Sequence, residues 1–230
     1  MTSTRLPGKV LLPLAGAPMI VRQIERIRRC RRIDQLVAAT SGEPSDDPLA
    51  AVLQDAGALV FRGSLDDVLG RYVGALDAFG PADNVVRLTG DCPLADWEVI
   101  DAVVERHLQS GADYTANTWG RRSFPKGLDV EVVRSGVLRE AAAEARDVYE
   151  REHVTPFIYH RPERFRLEGV EQVADEGEVR WTVDLPSDYD FTSAVYDSLY
   201  PADPAFTSQD VRDLVRRRPD LARLGGERRI

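Results

Sequence analysis

Lysine and cysteine are scarce in this chain of 230 residues. Lys9 and Lys126 are the only lysines among its 30 basic residues, so arginine supplies almost all of the positive charge. Cys30 and Cys92 form neither a C-x-x-C pair nor a metal-site spacing, which excludes a disulfide scaffold and a cysteine-based zinc site. A secretory signal and an apolar run of membrane-spanning length are also absent. We therefore expect a reduced, cytoplasmic protein that contacts no membrane.

Acidic residues outnumber basic residues, and the formal net charge is −8. Such a chain has no general attraction for nucleic acid, so any bound anion must be held by a local cluster of basic groups. A small polyanionic ligand fits this balance better than DNA or RNA does. The 43% of hydrophobic residues suffices for one large core, and no linker separates two parts. We predict a single domain over residues 1–230.

The first half of the chain alternates short apolar strands with amphipathic helices. The predicted strands are 35–40, 58–63 and 84–88, and the predicted helices are 18–30, 48–57, 65–80 and 96–111. Alternation at this spacing implies right-handed crossovers between parallel strands. The predicted fold class is therefore α/β, with a mostly parallel, doubly wound sheet.

The regular alternation ends after residue 111. Two predicted strands, 112–118 and 127–133, flank the loop WGRRSFPKG, so residues 112–133 form an antiparallel excursion from the parallel sheet. The remaining predicted elements are helices at 135–146, 148–160, 188–200 and 207–224, strands at 165–170 and 178–184, and a frayed tail at 225–230.

A basic turn, STRLPGK, opens the chain and is the first candidate site. Arg5 and Lys9 bracket a Pro-Gly pair, so a planar guanidinium and a point charge face one location, while Gly8 allows the backbone to approach an anion. Ser3 stands where the P-loop pattern requires glycine, so this is not a P-loop. A polar surface turn with two solvated cations is the alternative, and it is the commoner case.

Two aspartates follow predicted strands directly. Asp91 comes after strand 84–88, and Asp184 ends strand 178–184, which places both at the sheet edge where open α/β sheets bind ligands. Carboxylates there could hold a divalent cation against phosphate groups, as nucleotidyl transfer requires. Asp91 could instead cap a helix, although Asp96 is better placed to do so, and Asp188 has the same structural explanation.

A third candidate group lies in the excursion and beyond it. Asp129 and Glu131 alternate along one strand and so share a face, and His153 lies in a predicted helix. These side chains could bind sugar hydroxyls. A solvated face of an exposed strand is the commoner arrangement for the two acids.

Seven stretches in this order resemble one family, the SpsF-type (spore coat polysaccharide biosynthesis protein F) branch of the cytidylyltransferases. This branch is related to CMP-KDO synthetase and acylneuraminate cytidylyltransferase. The stretches are STRLPGKVL, DQLVAAT, VFRGSLDDVLGRY, VVRLTGDCPL, GLDVEV, REHVTPFIY and RWTVDLPSD. The resemblance implies a Rossmann-like nucleotide-diphospho-sugar transferase fold. It also implies transfer of CMP from CTP to a sugar or sugar acid, with release of pyrophosphate and assistance from Mg²⁺.

The resemblance also implies a role for each matching residue. Arg5 and Lys9 would contact the triphosphate, with Ser3 and Gly8 in the same loop. Asp91 and Asp184 would hold Mg²⁺. The residues on the acceptor side would be Asp129, Glu131 and His153.

The match departs from the family at its beginning. Family members start with a strand and loop resembling VAIIQARM, and its absence would leave two inner strands without a neighbour. A late-assigned start, a replacement segment or partner, and a degenerate non-binding relative are the three explanations. Nucleotidyl transfer to a sugar phosphate or phosphonate, and a non-catalytic binding module, stay open as alternative functions. By analogy, the excursion at 112–133 suggests a homodimer.

Overall fold

The computed structural model describes residues 5–230, and Ser3 therefore lies outside the described residues. Within that range the α-helices are α1 Met19–Ile27, α2 Asp47–Asp55, α3 Val68–Phe79, α4 Trp97–Ser110, α5 Ser135–Glu144, α6 Val148–His153, α7 Pro156–Tyr159, α8 Pro186–Leu199 and α9 Ser208–Arg217. The strands are β1 Pro13–Leu14, β2 Ala17–Pro18, β3 Val37–Ser41, β4 Leu59–Gly63, β5 Asn84–Arg87, β6 Tyr114–Ala116, β7 Glu131–Arg134 and β8 Leu167–Gly169. No helix of residues 5–230 is long and apolar enough to cross a membrane.

The predicted α/β class is confirmed, with one parallel strand pair and one mixed sheet that contains the antiparallel excursion. Strands β3 and β4 pair in parallel, and a separate sheet has the order β5-β7-β6-β8, in which β7 is antiparallel to both of its neighbours. The antiparallel excursion predicted at 112–133 thus supplies β6 and the first residues of β7. Within residues 5–230, β3 and β5 share no ladder, so the parallel part is split. Among the described residues, β3 pairs only with β4, and β5 only with β7.

The prediction of a strand at 178–184 is wrong, because this segment forms no ladder with another strand within residues 5–230. A turn includes Glu178, a bend lies at Thr182, a single bridge joins Arg180 to Lys126, and the other backbone partners of the segment are loops. Trp181 N–H donates to the carbonyl of Lys126 over 2.7 Å, and Val183 N–H donates to that of Asp91 over 2.8 Å. The segment is nevertheless at the centre of the largest apolar cluster, where Trp181 and Val183 pack against α8 and α9. Burial, rather than strand pairing, explains its apolar pattern.

Two further predictions are corrected. The single helix expected at 148–160 is broken into α6 and α7, because Val154 has a positive φ of 74° and Pro156 has no N–H to donate to the helical hydrogen bonds. The tail at 225–230 is not frayed, since Arg229 is fully buried and Ile230 packs against the largest apolar cluster.

Gly127 sets how closely the segment 178–184 approaches the loop before β7. Its φ is +110°, and a Cβ atom there would lie 2.6 Å from the Thr182 nitrogen and 2.8 Å from the Trp181 carbonyl carbon. We predict that Gly127→Ala lowers the free energy of unfolding by about 1–3 kcal/mol, the usual range for a residue forced into such a conformation.

Urea denaturation measures this effect, with Gly136→Ala as the matched control. A Cβ at Gly136, near the start of α5, meets nothing within 4 Å, so that variant should retain or gain stability. Equal unfolding midpoints for Gly127→Ala and the parent chain would contradict the close approach.

Candidate active site

The basic loop at the beginning of the described chain turns its lysine inward. Gly8 adopts a left-handed conformation with φ 68°, which glycine reaches without a Cβ penalty, and a single 3-10 turn, Lys9–Leu11, follows it. The side chain of Lys9 is only 12% exposed, whereas that of Arg5 is 59% exposed. Of the two predicted cations, Lys9 is therefore built into the structure and Arg5 lies at its surface.

Lys9 bridges the two aspartates that the sequence analysis selected. Its Nζ donates to Asp91 Oδ2 over 2.9 Å and to Asp184 Oδ1 over 2.8 Å. Arg5 joins them, with Nη2 3.4 Å from Asp184 Oδ2. Four residues predicted from three distant stretches thus meet at one place, so the solvated-turn alternative does not describe Lys9.

Lys9 and Asp184 each stabilise the ionised form of the other. Burial by itself lowers the pKa of Lys9, but hydrogen bonds and charge from Asp184 and Asp91 outweigh it and raise that pKa above the ordinary lysine value. Burial alone would raise the pKa of Asp184, but Lys9, Arg180 and Arg5 lower it. Lys9 is therefore a cation and Asp184 an anion throughout the neutral range.

The backbone fixes the distance between the two aspartates. The carbonyl of Asp91 accepts the Val183 N–H over 2.8 Å and the Thr182 hydroxyl over 3.3 Å. Asp96 and Asp188 act as helix caps, as predicted, because Asp96 Oδ1 accepts the Glu98 N–H and Asp188 Oδ2 accepts the Leu185 N–H. Asp91 is left free of a capping role, which favours a role with ligands.

The carboxylate pair suits a hard divalent cation. Its oxygens already converge on one cation, the Lys9 ammonium, and carboxylate oxygens are ligands that Mg²⁺ prefers. Within the described part of the chain, no cluster of three acidic, histidine or cysteine side chains could hold a metal alone. Mg²⁺ usually takes one or two carboxylates and completes its shell with phosphates and water, so Asp91 and Asp184 fit this ion.

A cavity of about 670 Å³ contains all three residues predicted on the acceptor side. Asp129, Glu131 and His153 line it, together with the aromatic rings of Trp119 and Tyr159. Its lining also includes Thr89, two residues before Asp91. One residue of the cavity lining is thus close in sequence to the carboxylate pair. The cavity is a candidate binding site for an acceptor molecule.

The two acids in the cavity are paired differently. Glu131 is buried and accepts hydrogen bonds from Arg87, from the Tyr114 hydroxyl over 2.8 Å and from the Thr155 hydroxyl over 2.6 Å. Its oxygens are thus largely used by the protein.

Asp129 is the more open of the two acids. Its side chain is 36% exposed and holds the Arg122 guanidinium in a two-point contact of 2.6 and 3.1 Å. The ring of His153 lies against that of Tyr149 in a tilted arrangement, with the centroids 4.3 Å apart. Asp129 and His153 are therefore better placed than Glu131 to contact a ligand.

Some important side chains were missed from the sequence. Arg180 donates to Asp184 Oδ2 over 2.8 Å and also to Asp188, and Arg229 donates to Asp188. Arg180, Asp184 and Asp188 follow one another at intervals of four residues. The interval from Arg180 to Asp184 was a signal in the sequence for the contact between those two side chains. No sequence pattern indicated Arg229, because it comes from the far end of the chain.

Comparison with known proteins now assigns the family. A sequence model of the family described as cytidylyltransferase matches residues 1–200. The chain belongs to the cytidylyltransferase family. It is therefore a nucleotidyltransferase, and the resemblance to the SpsF-type branch is confirmed. The spore coat polysaccharide biosynthesis protein SpsF of Bacillus subtilis is 34% identical over 229 residues, which cover 96% of this chain and 93% of that protein.

Two other relatives agree with this assignment. The solved structure of a cytidylyltransferase from Leptospira borgpetersenii matches with a TM-score of 0.89 and 30% identity, over 96% of this chain and 92% of that one. The 3-deoxy-manno-octulosonate cytidylyltransferase of Anaeromyxobacter sp. strain K is 36% identical over 104 residues, covering 44% of this chain and 41% of that protein. The fold of this cytidylyltransferase is thus the Rossmann-like fold that the resemblance implied.

Acid should weaken the site through Asp188. Burial alone would raise the pKa of this carboxyl, but Arg180, two backbone N–H groups and Arg229 hold it at about 2. Because this pKa is below that of the unfolded chain, the ionised carboxylate stabilises the fold above about pH 4, and the contribution is lost as the pH falls toward 2. We predict that Asp188→Asn removes about 2 kcal/mol of acid-dependent stability.

Unfolding free energies between pH 2 and pH 7 provide the measurement. The loss of stability with acid should be smaller in Asp188→Asn than in the parent chain, while the exposed neighbour variant Asp190→Asn should follow the parent. Parallel curves for all three proteins would show that Asp188 is not held ionised by the fold.

Proposed function

We propose that this chain transfers CMP from CTP to a hydroxyl group of a sugar or sugar acid and releases pyrophosphate. The observation that carries the proposal is the convergence of Lys9, Asp91 and Asp184 in a member of the cytidylyltransferase family. A non-catalytic binding module has no need of a half-buried cation between two carboxylates. The family and the charged centre together favour the enzyme.

Each residue at the centre has a role in this reaction. Arg5 and Lys9 bind the triphosphate and stabilise the charge that develops on the leaving pyrophosphate. Gly8 lets the loop backbone approach a phosphate. Asp91 and Asp184 hold Mg²⁺, which when bound offsets phosphate charge and orients the triphosphate. Because Lys9 Nζ occupies the carboxylate oxygens, loading the site requires it to turn from them to the phosphates.

The acceptor binds in the cavity lined by Asp129 and His153. Its hydroxyl oxygen attacks the α-phosphorus, the bond to the β-phosphate oxygen breaks, and the hydroxyl proton is released. Arg87 and Arg122, which also line the cavity, are already paired with Glu131 and Asp129. That pairing favours recognition of hydroxyl groups over recognition of a dianionic phosphate, and so a sugar or sugar acid over a sugar phosphate or phosphonate.

The proposed setting is the cytoplasm, in the synthesis of a polysaccharide or glycoconjugate. The similarity to SpsF, a protein named for spore coat polysaccharide biosynthesis, supports the product class. Both cysteines are free, as in a reducing compartment, and Cys92 is buried.

Pyrophosphate release tests the proposal, with CTP, UTP, ATP and GTP offered against a panel of sugars and sugar acids. We predict activity with CTP, and we predict that Lys9→Met and Asp91→Asn each lower turnover at least about 100-fold, the usual cost of removing one such electrostatic contact.

Lys126→Met is the matched control for Lys9→Met. Lys126 is the other lysine, is 41% exposed and lies 3.7 Å from Glu178, so its loss should leave turnover unchanged. Parent-like rates in Lys9→Met or Asp91→Asn would remove that residue from the mechanism. Absence of release with every nucleotide would favour the binding module.

Metal dependence forms a separate prediction. Chelation with EDTA should abolish pyrophosphate release, and added Mg²⁺ should restore it, because the two carboxylates offer the hard oxygen ligands that this ion takes. In Asp184→Asn the Mg²⁺ concentration for half-maximal rate should rise at least tenfold, consistent with the loss of one charged ligand. Full rates in excess EDTA would contradict the metal role.

A further inference from the structure

The end of the chain is built into the loop that carries Asp184. Arg229 is fully buried, and its Nη1 donates to the carbonyl of Arg180 over 2.8 Å. Its own carbonyl accepts the Trp181 indole N–H over 2.9 Å, and the Arg228 carbonyl accepts the Arg180 N–H over 2.9 Å. Backbone and side-chain bonds therefore tie residues 228–229 to the segment just before Asp184.

Arg229 also neutralises a second buried group, the carboxylate of Asp188. Its Nη2 donates to Asp188 Oδ1 over 2.9 Å, and neither side chain is exposed to solvent. Asp188 Oδ2 in turn accepts the backbone N–H groups of Asp184 over 3.0 Å and of Leu185 over 2.9 Å. The Asp188 carboxylate thus fixes the backbone from which Asp184 projects.

Arg180 links the carboxylate of Asp188 to that of Asp184. Its Nη2 donates to Asp184 Oδ2 over 2.8 Å and to Asp188 Oδ2 over 2.9 Å. Asp184 Oδ2 is therefore held by Arg180, and Oδ1 is left to Lys9. Two arginines balance two carboxylates here. Without Arg229, the fully buried carboxylate of Asp188 would depend on Arg180 for its charge compensation and would draw Arg180 away from Asp184, because a buried charge needs a partner.

We propose that Arg229 is a positioning residue of the nucleotidyl-transfer site, which acts through Asp188 and Arg180 to aim the carboxylate of Asp184 at Lys9. Its effect on catalysis rests on the proposed function. Its effect on the geometry does not. Arg229 touches no reacting group in this arrangement, and the distance along the chain explains why the sequence analysis missed it.

The lysine content allows a direct test of the geometry. A chain labelled with ¹⁵N only in lysine contains two ammonium groups, and Lys126→Arg assigns them. We predict that Arg229→Met shifts the Lys9 signal toward that of a free lysine and leaves the Lys126 signal in place. Arg228→Met is the matched control, because that side chain is exposed and donates only to the Ile230 carbonyl among described groups, over 2.8 Å.

Steady-state pyrophosphate release supplies the second readout. Arg229→Met should lower kcat about 10- to 100-fold, the usual effect of a partner that orients a metal ligand. The KM for CTP should change less than twofold, since Arg5 and Lys9 still meet the phosphates. Because a loss of folded protein would also lower the apparent kcat with KM unaltered, kcat is calculated per folded molecule, with the folded fraction measured by circular dichroism in the same samples. Arg229→Lys should restore part of kcat, because it returns a cation to Asp188.

The two readouts separate the two proposals. An unmoved Lys9 signal in folded Arg229→Met overturns the positioning role, even in an active enzyme. A shifted signal supports it, even if the parent chain releases no pyrophosphate, in which case only the proposed function fails. Should Arg229→Met not fold, Arg229→Gln takes its place, because its amide can still donate to a backbone carbonyl but brings no positive charge to Asp188. The same shift of the Lys9 signal is expected in Arg229→Gln, and an unmoved signal there overturns the positioning role.

Discussion

One ammonium group between two carboxylates determines how this site is assembled. Lys9 comes from the start of the described chain, Asp91 from the turn after β5, and Asp184 from the segment just before α8. Opposite charges in a half-buried place attract strongly, and removing one partner leaves a charge that the protein cannot compensate. The loop, the turn and the segment are therefore held in one arrangement by the same groups to which the proposed reaction assigns a role.

Two groups of residues surround the centre formed by Lys9, Asp91 and Asp184. On one side, Arg180, Asp188 and Arg229 form a buried alternation of charges that fixes the loop of Asp184. On the other side, the cavity holds two arginine–carboxylate pairs and aromatic walls, a lining that suits a hydroxyl-rich ring. In the proposed reaction the charged centre binds the nucleotide, and the cavity, whose lining includes Thr89 two residues before Asp91, binds the acceptor.

Sequence patterns located the charged centre because its members have local signals. Asp91 follows an apolar strand, and Lys9 follows a glycine that can adopt a left-handed turn. The segment 178–184 was predicted as a strand because burial, not pairing, made it apolar. The antiparallel excursion was predicted, but the strand order was not, because β7 comes later in the chain than β6 and yet lies between β5 and β6.

The C-terminal tail shows the limit of local signals most clearly. A run of arginines beside glycines is typical of a solvated end, yet Arg229 is buried because Asp188 and three carbonyl oxygens satisfy it. Those partners lie between 5 and 49 residues away in sequence. No pattern within the tail contains them, and only the folded chain brings them together.

A crystal structure of this protein with CTP and Mg²⁺ tests the central claim most directly. The account predicts the triphosphate against Arg5 and Lys9, the metal ion on Asp91 and Asp184, and Lys9 Nζ turned from the carboxylates to phosphate oxygens. A triphosphate bound elsewhere, with Lys9 still bridging the two aspartates, would contradict it.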